Sequence, residues 1–137
     1  MMILIWTFLI LAVLFDARDY KIPNQLICAG YIAGLFVNLW LYQLPGSIIF
    51  IVNALVPLLI TYLLFWIGGL GAGDVKIFSV LSTLVGVKVT IRVMIISIFV
   101  AAAVILLISI YKRKLIRKKL HYSYYILAGY MLVCLGV

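Results

Sequence analysis

Only three side chains in this 137-residue sequence are acidic, and all three are aspartates: Asp16, Asp19 and Asp74. A carboxylate set among long apolar stretches is costly to keep, so each acid here is a candidate for function. Two carboxylates brought to one place push their proton affinities apart, leaving one ionised and one protonated near neutral pH. Such a pair can hydrolyse a peptide. The ionised member takes a proton from water as the water attacks the carbonyl, and the protonated member donates to the developing oxyanion and then to the leaving amine.

The surroundings of Asp74 suit that task. It ends the stretch G-G-L-G-A-G-D, in which Gly71 and Gly73 let the backbone pass close to a substrate. A helix beginning just after these glycines favours negative charge, and so an ionised Asp74. The plainer alternative is that Asp74 is an N-cap, satisfying free backbone N–H groups at the helix start. A nucleotide-binding loop is excluded, because neither G-x-x-x-x-G-K-[ST] nor G-x-G-x-x-G after a strand is present. Lys76 is placed to steady a carboxylate or to bind lipid phosphate. Asp19, flanked by Arg18 and Lys21, reads as a solvated charge. His121 is the single histidine and reads as interfacial. Cys28 and Cys134 form neither a C-x-x-C pair nor part of a His/Cys cluster, and are expected to be buried, inert thiols. No metal and no cofactor is expected.

These residues must be positioned by a very apolar chain. Hydrophobic residues make up 69% of it and charged ones 10%, with a mean hydropathy of +1.37, against roughly 45–50% apolar in a soluble domain. The reading is an all-α polytopic membrane protein, a single-domain bundle of six transmembrane helices over residues 1–137. Apolar runs occupy 1–15, 26–44, 48–67, 75–87, 91–111 and 122–137. The first run lacks the basic start and the cleavage site of a signal peptide and is taken as the first helix. Pro23 disfavours helix at Ile22, so the second helix is expected to begin near Asn24. Pro45 and Gly46 mark the second break, the glycine-rich stretch the third, and a tight turn around Lys88 to Arg92 the fourth. Gly30 and Gly34, four apart, are expected to let helices approach closely and are given no chemistry.

Charge fixes the expected orientation. Lys112, Arg113, Lys114, Arg117, Lys118 and Lys119 supply six of the eleven basic residues in one stretch. With six spans the breaks at 16–24, 68–74 and 112–120 share a side, which the positive-inside rule makes cytoplasmic, with both termini outside. Lys88 and Arg92 then lie outside, where long basic side chains can snorkel from a helix end. Beside a hydrophobic helix the basic run is expected to grip anionic lipid rather than nucleic acid. The 75–87 run is short, about 20 Å at 1.5 Å per residue, so a re-entrant hairpin competes with a span there. Five spans, however, would put the basic run opposite the two aspartate breaks. Asp16 and Asp74 therefore come to the same end of the bundle.

Taken together, D-A-R-D-Y-K-I-P-N after a first helix and G-A-G-D-V-K at the start of a later one resemble the type IV prepilin peptidases, membrane aspartic proteases of the GxGD type. In that family one aspartate stands seven positions before a proline, as Asp16 stands before Pro23. A second lies in Gly-x-Gly-Asp-x-Lys, matched by Gly71, Gly73, Asp74 and Lys76. The resemblance implies cleavage of the short basic leader from pilin-like precursors at the cytoplasmic face of the cell membrane, with Asp16 and Asp74 catalytic. Larger members carry an N-terminal region with paired cysteines, and many methylate the new pilin terminus. This sequence has no cysteine pairs and resembles a minimal form, for which no methyltransferase role is expected. Two other classes compete: a small proton-coupled transporter or channel with an aspartate relay, and a non-catalytic subunit of a pilus or secretion assembly.

Overall fold

The computed structural model describes residues 2–19, 21–112 and 122–136. Among them are six helices and no strand: α1 (Met2–Asp19), α2 (Asn24–Tyr42), α3 (Gly46–Trp66), α4 (Ala72–Val85), α5 (Val87–Lys112) and α6 (Tyr122–Cys134). Of the basic run, Arg113 to Lys119 lie outside the described residues, as does His121; Lys112 is the last residue of α5.

Three helices, α2, α3 and α5, are long and apolar enough to cross a membrane. The other three depart from that standard for different reasons. The last turn of α1 carries Asp16, Arg18 and Asp19, and α4 and α6 have 14 and 13 residues. At 1.5 Å per residue α4 covers about 21 Å of a hydrocarbon core about 30 Å thick.

That short helix is the centre of the molecule. Ten of its residues are buried, including Ile77, Phe78, Val80 and Leu81, which have no exposed surface. Ile5, Phe8, Leu9 and Ala12 of α1, Val93 and Met94 of α5, and Ile126 and Tyr130 of α6 complete one core around it. From the remaining side α2 closes in through its two small residues. A Cβ on Gly30 would overlap Val80, and one on Gly34 would overlap Thr83, so the expected close approach is an α2–α4 contact. One turn further on, the buried Asn38 amide donates to the Gly34 carbonyl at 2.7 Å and to the Thr83 carbonyl at 2.6 Å. Bonds of this kind satisfy a polar group that would otherwise be stranded in an apolar interior.

Two boundaries differ from expectation. The turn before α5 is not at Lys88 to Arg92 but at the single residue Gly86, whose φ of +87° only glycine adopts readily. Lys88 and Arg92 consequently sit, exposed, in the first turns of α5. The expectation of buried cysteines is also overturned, since Cys28 and Cys134 are both exposed on outer helix faces. An apolar residue that faces lipid and one that faces the core obey the same hydropathy, so composition does not separate them.

Candidate active site

The loop from α3 to α4 is built by its glycines in two stages. Gly68, at φ +82°, stops α3. Its N–H reaches the Phe65 carbonyl at 2.9 Å and the Gly69 N–H reaches the Leu64 carbonyl at 2.9 Å, the paired bonds of a Schellman stop. Leu70 then turns inward and is buried in the core. Anchored there, the chain enters α4 with Gly71 as the N-cap.

Asp74 is therefore the third residue of the helix rather than its cap. Its Oδ2 accepts a hydrogen bond from the Gly71 N–H at 3.1 Å, so the side chain does reach back to a free backbone donor, but from inside the first turn. Both glycines of the turn sit close to neighbouring side chains. A Cβ on Gly71 would stand 2.9 Å from Asp74 Oδ2, and one on Gly73 would stand 3.0 Å from Ile22.

Asp16 lies in the last turn of α1, half-buried, where the Ser123 hydroxyl of α6 donates to its Oδ2 at 2.6 Å. The two aspartates line one cavity of about 850 Å³ at the end of the bundle, together with Lys21, Pro23, Lys76, Tyr122 and the loop 68–73. Pro23 caps α2, with its carbonyl accepting from the Leu26 N–H at 3.1 Å. Lys76 extends along the rim and donates to the Asn24 carboxamide at 2.9 Å, tying the first turns of α2 and α4 together. Asp19 is exposed and does not line the cavity.

The aspartates differ in environment. Asp74, in the polar break ahead of the apolar run 75–87, is only 9% exposed. Asp16 is half-buried and faces the same cavity.

The family model described as the type IV leader peptidase family matches residues 3–108, a span that holds α1 to α4, most of α5 and both aspartates. The chain belongs to the type IV leader peptidase family. Searches among curated proteins and among solved structures found no match. Within this leader peptidase, α6 lies beyond the matched span and yet supplies two site residues that sequence reasoning missed. Ser123 holds Asp16. Tyr122 lines the cavity, with its hydroxyl 3.2 Å from Ser97 Oγ and its ring edge-on to Phe78. The only trace of them in the sequence is the polar string H-Y-S-Y-Y opening an apolar run, which reads equally well as an interfacial belt.

Proposed function

We propose that this family member is a membrane aspartic endopeptidase that uses Asp16 and Asp74 to remove the short basic leader from pilin-like precursors at the cytoplasmic face. The observation that carries the reading is a single cavity walled by both carboxylates, one buried in the first turn of α4 and one half-buried in the last turn of α1. Asp16, held by a donated hydroxyl, acts as the base. It takes a proton from water while the oxygen of that water bonds to the scissile carbonyl carbon. Asp74, buried and protonated, donates to the carbonyl oxygen as it gains charge. Collapse of the tetrahedral intermediate breaks the C–N bond as the amine receives a proton from the dyad. Gly71 and Gly73 keep that wall open, Pro23 fixes the start of α2, and Lys76 braces the rim through Asn24.

In this reading all six helices span the membrane, the cavity opens to the cytoplasm and both termini lie outside, as the positive-inside rule places them. The outward apolar faces of α2, α3 and α5 meet lipid. The run from Lys112 to Lys119 grips anionic headgroups on the side of the cavity and does not recruit the leader, which carries the same charge sign. Cleavage of a synthetic precursor followed by gel shift, with the purified protein in proteoliposomes, tests the assignment. Asp16→Asn and Asp74→Asn should each abolish processing, whereas Asp19→Asn should retain it. Full cleavage by either of the first two variants refutes the dyad.

A further inference from the structure

The protein buries several hydroxyl groups among its helices, and most are used up locally. Thr61 donates to the Pro57 carbonyl, Thr83 to that of Val80 and Ser97 to that of Met94, each three or four residues back on its own helix. Ser79 donates across to the Ala54 carbonyl. These bonds satisfy a hydroxyl in an apolar setting and need no further explanation.

Ser123 behaves differently. It is 2% exposed and is the second described residue of α6. Its proton goes instead to Asp16 Oδ2 at 2.6 Å, across 107 residues of sequence and from one helix to another. A hydroxyl donating to a carboxylate at that distance is in the short, charge-assisted range, which favours an ionised acceptor.

We propose that Ser123 is a positioning residue for the reaction: it fixes the orientation of the Asp16 carboxylate and keeps it as the base, so that the proton shared by the dyad resides on Asp74. This inference rests on the dyad reading above. It extends the site to α6, which the family match does not include. Ser123 touches neither water nor substrate in this scheme; it acts through Asp16.

The test measures kcat and KM separately for a synthetic precursor, using full-length wild type, Ser123→Ala, Ser123→Cys and Asp16→Asn, with thermal melting recorded for each. Ser123→Cys keeps the volume of the side chain and weakens its donor, and it serves where the alanine variant fails to fold. Loss of a hydrogen bond to a charged group corresponds to about 10- to 100-fold. The expected result is a kcat lowered by about that factor in Ser123→Ala and by less in Ser123→Cys, at a KM within about twofold of wild type. A purely structural serine would instead lower the melting temperature and leave the kcat of the folded protein unchanged. Wild-type kcat in both Ser123 variants beside an inactive Asp16→Asn overturns the role of Ser123 and leaves the dyad standing. An active Asp16→Asn overturns both.

Discussion

Replacing Gly71 by alanine should separate the chemistry of the site from the stability of the fold. The backbone at Gly71 has φ −81° and ψ 153°, an extended conformation that alanine adopts freely, so no strain is introduced. Restricting the unfolded chain would by itself stabilise the protein by about 0.4–1 kcal/mol. Against that gain, the new Cβ would lie 2.9 Å from Asp74 Oδ2, and ordinary van der Waals contact begins at 3.4 Å, so the carboxyl must retreat by about half an ångström. The retreat weakens the 3.1 Å bond from the Gly71 N–H, at a cost of about 0.5–1.5 kcal/mol for a neutral acceptor. The two contributions nearly cancel in stability. They do not cancel in catalysis, because a misplacement of about 1 Å costs about 100-fold. A kcat lower by about 10- to 100-fold at an unchanged melting temperature is the expected outcome. Gly86→Ala is the control. There a Cβ meets nothing within 4 Å, but φ is +87°, so about 1–2 kcal/mol of stability should be lost while kcat holds. Precursor cleavage and thermal melting of both variants decide the matter, and wild-type kcat in Gly71→Ala refutes the reasoning.

Gly34→Val should force α2 from α4 through its overlap with Thr83 and lower stability by about 1–3 kcal/mol, and an unchanged melting temperature would show that this contact is not tight.

Much of this molecule was legible in the sequence, and the illegible part has a common cause. Pro23 marked the start of α2, the spacing of Gly30 and Gly34 marked a close helix contact, and the polar breaks placed Asp16 and Asp74 at one end. Each is a local signal, carried by a residue whose backbone or charge has few alternatives. What was missed depends on which neighbour a side chain meets. Cys28 and Cys134 lie in apolar runs yet face outward. The glycine at 86, set in an apolar stretch, did not announce a turn, and the charges at Lys88 and Arg92 drew it two residues too late. Ser123 left only the polar string that opens an apolar run, since its partner lies 107 residues away.

The shortness of α4 counts against a span when the sequence is read alone, yet in the proposed six-span reading it accounts for the cavity. A helix of about 21 Å in a core of about 30 Å leaves a gap of several ångströms at one end or both. The other helices gather around α4, and of them α2, α3 and α5 are long and apolar enough to cross a membrane. Where α4 stops short, at Ala72, the cavity of about 850 Å³ opens. Its lining draws on all three helices that fall short of the length or apolarity of a simple span, through Asp16 of α1, Asp74 of α4 and Tyr122 of α6, and Ser123 of α6 bonds to Asp16. Recessed in this way, a carboxyl is largely buried and still open to water from one side. A uniformly long six-helix bundle would fill that space with side chains. Lengthening α4 by one helical turn, about 5.4 Å, with residues inserted ahead of Gly71, would lift the loop toward the surface. It should therefore abolish cleavage while leaving the core around Phe78 and Leu81 intact.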